Sequence, residues 1–148
     1  MASSTLEQVR PGARIFIDAP IFIYHFTAAS SECRAFLKRC ETGEILGVTS
    51  VIVRDLTLYQ EQVATIPLME VEIVPLDLPV FAASGPLRRS HGLLTNDSLI
   101  LSTARALEVA AVASADHDFD GLDEVALFCP GDLEPTALSA PPRPEGPR

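Results

Sequence analysis

Three aspartates, Asp18, Asp97 and Asp116, carry the chemistry this sequence suggests, with Asp118 and Asp120 close behind the last. Carboxylates gathered without a cation raise one another's pKa, so a cluster of them asks for a bound metal or a shared proton. Oxygen donors alone suit one or two Mg²⁺ or Mn²⁺ ions that keep several waters. Such ions can hold a phosphate, lower the pKa of an attacking water and stabilise the leaving oxygen of a phosphodiester. Zinc suits the chain less, because Cys33, Cys40 and Cys129 lack ligand spacing and His117 is a lone imidazole between aspartates. No phosphate-binding glycine loop and no G-x-S-x-G turn occurs. Taken singly, each aspartate also has a plainer reading: a helix cap for Asp18, a first-turn carboxylate for Asp97, a turn residue for Asp116.

The elements around these residues decide whether they meet. From Leu93 to Asp120 the chain reads as a helix and a buried strand. With Thr95 or Asn96 as N-cap, Leu99, Ile100, Thr103, Ala104 and Leu107 share one helical face and Asp97 falls in the first turn. The apolar run from Val109 to Ala113 predicts a strand that ends at Ser114, Ala115 and Asp116. A helix of about eleven residues descends ~16 Å and a strand of five or six climbs back ~16 to 20 Å. Asp97 and Asp116 are therefore expected on one edge of a sheet.

Upstream, Arg14 to Ile17 predicts a strand stopping at Asp18, with Ala19 and Pro20 opening a helix. Ser30 and Ser31 precede a helix that buries Cys33, Phe36, Leu37 and Cys40 and stops at Gly43. A second strand runs from Ile45 to Val48 and ends at Thr49 and Ser50, and Ser50 caps a helix with Ile52, Leu56, Tyr59 and Val63 buried. Val71 to Leu76 reads as a third strand, and Asp77 with Pro79 starts another helix. Gly85 and Pro86 are expected to break it, leaving Leu87 to His91 as a separate turn. Arg88, Arg89 and His91 form a basic patch there, of a kind that also fits a solvated helix face. Val125 to Phe128 reads as a last strand at the sheet edge. Strands alternating with helices imply a three-layer α/β/α sandwich with a mostly parallel central sheet. Residues 1–12 are expected as a polar lead-in, 13–130 as the domain and 131–148 as a proline-rich tail.

Of the 148 residues, 47% are hydrophobic and 21% charged, which supports one packed domain. The net charge of −9 opposes long-range attraction to nucleic acid or anionic lipid, although a divalent ion in an acidic pocket reverses the potential locally. Three cysteines suggest no disulfide framework, and no apolar run approaches membrane-spanning length, so a reduced, cytoplasmic protein is expected.

The segments IFIDAPIFIYHF, ETGEILGVTS, LLTNDSLILSTA and ASADHDF, in that order, resemble the acidic motifs and second strand of the PIN-domain family over about Arg14 to Cys129. PIN domains are metal-dependent ribonucleases, found among the toxins of toxin–antitoxin pairs. The resemblance implies Asp18, Asp97 and Asp116 as catalytic metal ligands and Asp118 as an accessory ligand or water-positioning group. Thr95 and Asn96 would help set the site, and Ser50 would lie near its mouth. It further implies an RNA substrate, with Arg54, Arg88 and Arg89 as phosphate contacts, an antitoxin-type protein partner and a homodimer. One departure stands out. The family's helix-borne glutamate after the TS pair is absent, Asp55 being the nearest acid, and the stretch from Ser50 to Val71 is short by some thirty residues. Glu61 or Glu70 could substitute only if that stretch is rerouted. The same resemblance therefore also accommodates a catalytically impaired protein that acts by binding.

Overall fold

The computed structural model describes residues 4–50 and 64–133. Its strands are β1 (Ser4–Thr5), β2 (Arg14–Ile17), β3 (Leu46–Ser50), β4 (Glu72–Val74), β5 (Ala111–Ala113) and β6 (Ala126–Cys129). The helices of the described residues are α1 (Ala19–Phe26), α2 (Ser31–Glu41), α3 (Leu78–His91) and α4 (Thr95–Ala106). One sheet forms in the order β1-β6-β5-β2-β3-β4, and every pairing in it is parallel.

Alternate side chains of β2 go to opposite faces, as the strand repeat requires. Ile15 and Ile17 pack with Ile21, Phe22, Phe36 and Leu37 of α1 and α2. Phe16 packs with Val48 and Val112 against Leu87 of α3 and Ile100, Leu101 and Ala104 of α4. Two helical layers thus enclose the sheet, and the three-layer sandwich expected from the alternation is the observed fold. Gly47 lets β3 approach α2, since a Cβ there would lie 2.7 Å from Ile17 Cδ1 and 3.2 Å from Cys40 Sγ.

The order of strands creates a natural ligand position. From β2 the chain builds outward through β3 to β4, then returns to the other side of β2 to lay down β5. The direction of building reverses between β2 and β5, and in open α/β sheets ligands bind outside the carboxyl ends of the strands at such a reversal.

Several elements differ from the sequence reading. Helix α3 runs unbroken for 14 residues through Pro86. Interior proline costs ~3 kcal/mol in a helix, but the carbonyl it deprives, that of Ala82, belongs to an exposed residue that water can serve. The buried positions Val80, Ser84 and Leu87 hold α3 in place, and Ser102 Oγ of α4 donates to Val80 O at 2.7 Å. Leu94, not Thr95 or Asn96, is the N-cap of α4, without a side-chain cap. Left-handed Gly92 ends α3 and buried Leu93 seats the connection, so tertiary packing fixes the helix start.

The strand expected at Val109 begins at Ala111, that at Val71 spans only Glu72–Val74, and that at Ile45 is shifted to Leu46–Ser50. Nor is the last strand an edge: β1 pairs outside β6, Ser4 opposite Phe128 and Thr5 opposite Cys129. The expected lead-in thus supplies the outermost strand, and Leu6 and Val9 behind it are buried. Arg39 ties this segment to α2 by donating from Nη2 to Val9 O at 2.6 Å. Cys33, Cys40 and Cys129 are free and buried. Among the described residues no helix is long and apolar enough to cross a membrane.

Candidate metal centre

Asp18 and Asp116 follow the carboxyl ends of β2 and β5, the two strands that flank the reversal. Asp18 N donates to Ala113 O at 2.9 Å, extending the ladder by one bond and fixing the two strand ends side by side. As N-cap of α1, Asp18 accepts from Ala19 N at 2.8 Å through Oδ1. Its second oxygen, Oδ2, accepts from Ser114 Oγ at 2.7 Å.

Asp116 caps a single 3-10 turn, His117–Phe119, accepting from Asp118 N at 2.9 Å. Phe119 is fully buried and anchors that turn, so Asp118 is carried back beside Asp116. Asp97 arrives from the opposite side, in the first turn of α4, and is only 7% exposed. One carboxylate oxygen each from Asp97, Asp116 and Asp118 lie within 4.8 Å of one another.

The electrostatics reflect that crowding. Burial, then the Asp116 charge, a hydrogen bond with Asp118 and the Asp18 charge push the Asp97 carboxyl up to about 7. Asp116 is raised as well, first by burial and then by Asp118, although the Asp118 amide and His117 pull the other way. Without a cation, burial and crowding thus favour the protonated form of Asp97 and, in the same direction, of Asp116. Asp18 is close enough to act on Asp97 but stands outside the group of three, its oxygens held by Ala19 N and Ser114.

An all-oxygen donor set of this spread fits a hard divalent cation. Mg²⁺ takes oxygens at about 2.0–2.1 Å and Ca²⁺ at 2.3–2.6 Å, so ligands of one ion lie about 3 to 5 Å apart. No thiolate joins the cluster, and His117 Nδ1 lies 3.8 Å from Asp120 Oδ2, exposed and turned to that carboxylate. The described residues of the cluster thus offer none of the thiolate or imidazole ligands that zinc usually takes.

The remaining candidate residues are spread around this edge and beyond it. Thr95 and Asn96 are exposed on the first turn of α4, and Arg88 Nη1 lies 3.5 Å from Thr95 Oγ1. Arg88 thereby reaches the first turn of α4, whereas Arg89, also exposed on the last turn of α3, turns back along its own helix toward Gly85. Ser50 ends β3 two residues past the Phe16–Val48 pair, level with Asp18, and its Oγ is buried without a hydrogen-bond partner among the described residues. Glu70 lies before the amino end of β4, on the far edge of the sheet, and does not reach the cluster. Arg54, Asp55 and Glu61, together with the helix expected after Ser50, lie outside the described residues.

Ser114 is the residue that sequence reading passed over. It is fully buried, and its hydroxyl donates to Asp18 Oδ2 while accepting from Asp116 N at 3.0 Å. One side chain therefore couples the two strand-end aspartates. The signal was there: a hydroxyl closing an otherwise aliphatic strand, two residues before an acid.

With this geometry in place, three comparisons bear on the chain. The model of the family described as PIN domain matches residues 15–125. Among solved structures, a toxin–antitoxin complex from Klebsiella pneumoniae is similar at 23% identity and TM-score 0.58, over 75% of this chain and 94% of that one. VapBC2 from Rickettsia felis, bound to a DNA fragment from its promoter, is similar at 19% identity and TM-score 0.60, over 78% and 98%. FitAcB from Neisseria gonorrhoeae gives 19% identity and TM-score 0.55, over 77% and 96%. No curated protein matches the sequence.

Proposed function

From the premise that the chain belongs to the PIN-domain family, we propose that it is a metal-dependent endoribonuclease, the toxin of a toxin–antitoxin pair. The observation that carries this reading is the meeting of Asp97, Asp116 and Asp118 at the strand reversal, with Asp18 beside them. Asp97, Asp116 and Asp118 would hold Mg²⁺ or Mn²⁺, with Asp18 at the flank. When bound, the ion supplies positive charge for a phosphodiester and a more acidic water. Ser114 keeps Asp18 and Asp116 in place, so the acids need no rearrangement. Asp118, the exposed member, would accept a proton from water entering the site. Arg88 and Arg89 would meet RNA phosphates, offsetting the acidic surface locally.

The unit taken to carry the activity is the domain of residues 13–130 together with the N-terminal strand Ser4–Thr5 that completes its sheet, acting in the cytoplasm as a homodimer and restrained by an antitoxin-type protein. The similarity to a toxin–antitoxin complex from Klebsiella pneumoniae supports the pairing with such a partner. The test is RNA cleavage by the purified protein in Mn²⁺. Wild-type protein should cut, and Asp97→Asn should not; equal activity in the two refutes the assignment.

One observation favours a second reading. The sequence TSVIVRDL carries no glutamate where the family has one, which suits a PIN-like protein that binds RNA or a protein partner without turnover. Calorimetric titration separates the two, since absence of Mn²⁺ binding at millimolar metal would favour the second.

A further inference from the structure

Ser50, the last residue of β3, is 4% exposed, and its Oγ has no hydrogen-bond partner among the described residues. Every other buried serine and threonine among those residues donates its hydroxyl within the chain, to a main-chain carbonyl or a carboxylate. The adjacent residue makes the contrast sharp: Thr49 Oγ1 donates to Ile17 O at 2.8 Å. A buried hydroxyl left unpaired costs roughly 1–3 kcal/mol, and such groups in native proteins are met by water, by an ion or by a role in the site.

Side chains alternate along β3, and this decides where the hydroxyl faces. A Cβ at Gly47 would lie 3.2 Å from Cys40 Sγ of α2, so odd positions face the α1/α2 layer. Val48 packs with Phe16 and Val112 against α3 and α4, and Ser50, still paired with Val74 of β4, continues that face. Asp18 and Ser114 follow Phe16 and Val112 at the same two-residue step. Ser50, Asp18 and Ser114 therefore form a row across β3, β2 and β5 at the carboxyl edge, on the face that α4 covers. Ser114 holds Asp18 Oδ2 from one side. Ser50 stands on the other, one strand spacing of about 4.7–4.9 Å away. Asp77, the acid after β4, is exposed and caps α3 by accepting from Val80 N at 3.0 Å.

We propose that Ser50 Oγ is the hydrogen-bond partner of a water carried by the divalent ion at the acidic cluster, orienting that ion from the β3 side without ligating it. The inference rests on the metal-dependent reading above and adds a positioning residue to it. Reach favours a water over a direct bond. A ligand oxygen sits about 2.0–2.1 Å from Mg²⁺, whereas a hydroxyl that bonds to a metal-bound water stands about 4–5 Å away, once ~2.7–2.8 Å for the hydrogen bond is added. That distance is one strand spacing. Chemistry points the same way, because Mg²⁺ gives up its waters reluctantly, a water on a cation is a strong donor, and a serine oxygen has two lone pairs to accept with.

The experiment uses the full-length protein and Mn²⁺ alone, without RNA. Affinity is read from the loss of the free Mn²⁺ electron paramagnetic resonance signal, and stability from thermal unfolding of the metal-free protein. Ser50→Ala should weaken Mn²⁺ binding about tenfold, as loss of groups that hydrogen-bond to metal ligands does. In the metal-free protein the same change should raise the unfolding temperature, since it removes a buried polar atom that has no partner. A packing role cannot give these opposite signs. Ser50→Thr keeps the hydroxyl and should bind Mn²⁺ more tightly than Ser50→Ala; the reverse order would overturn the proposal. So would Ser50→Ala binding Mn²⁺ as wild type does, which would leave the cluster reading standing and make any water on Ser50 an ordinary buried one. A metal-free Ser50→Ala protein less stable than wild type would also overturn it, for the hydroxyl would then already be satisfied within the chain. Wild-type protein that binds no Mn²⁺ at millimolar metal would overturn both readings together.

Discussion

Asp132, just beyond β6, and Asp97, in the first turn of α4, are both carboxylates held against the body of the protein, yet their surroundings oppose each other. Asp132 accepts from Ser30 Oγ, from Ser31 Oγ at 3.0 Å and from Glu32 N at 3.0 Å. Burial works against its charge, but these donors prevail and bring its pKa below the ordinary value. Asp97 meets burial and then three other acids, and its pKa rises. The first carboxylate completes its bonding within the chain and clasps the segment after β6 to the N-terminus of α2. The second is left needing positive charge. The difference lies in the donors the fold supplies, which separates an acid that serves structure from a cluster built for a ligand.

The largest expected effect falls on the cluster. Asp97→Asn should take Mn²⁺-dependent RNA cleavage below detection while leaving the fold intact, because the neutral amide relieves repulsion. Cleavage surviving in this variant would break the contrast. Next comes the hydroxyl that couples two of the acids. Ser114→Ala should weaken Mn²⁺ binding about 10- to 100-fold, in line with other residues that orient metal ligands, and Ser114→Thr should restore part of it. Loss of stability with no change in metal affinity would make Ser114 a packing residue only.

The two acids should also pull the stability of the metal-free protein in opposite directions with pH. Asp97 has a folded pKa raised from 3.8 to about 7, so the unfolded chain releases that proton first and folding stability should fall as pH rises across this window. Asp132 has a folded pKa below its unfolded one, so its contribution is present above the ordinary carboxylate range and is lost as pH falls through the folded value. Urea titrations across pH should therefore show a maximum on the acid side of neutrality, and Mn²⁺ should flatten the decline above it. A metal-free protein whose stability rises steadily to pH 7 would contradict this. Smallest is the clasp itself: Asp132→Ala should cost about 1 kcal/mol, discounted for exposure, with cleavage unaffected.

What could be read from the residues was mostly what local patterning controls. The strand Arg14–Ile17 and the amphipathic helix after Ser30 arise from periodicity and capping, and both occur where expected. Parallel alternation then implied that strand-end acids share an edge, and Asp18 and Asp116 do. Features set by tertiary contact were not legible. The two-residue β1 has no periodicity to detect, and its place beside β6 comes from buried Leu6 and Val9. Pro86 argued for a break that packing against α4 overrides. Ser114 has an ordinary side chain whose role appears only once Asp18, far away in sequence, is hydrogen-bonded to it.

The proposed function requires that a divalent ion bind the Asp97, Asp116 and Asp118 cluster and displace the proton that crowding favours on Asp97, and titration calorimetry with Mn²⁺ near pH 6.5 in two buffers of different ionisation enthalpy tests this most directly. Binding should release protons, seen as a buffer-dependent heat, and both should disappear in Asp97→Asn. Absence of binding at millimolar Mn²⁺, or binding with the same heat in both buffers, would contradict it.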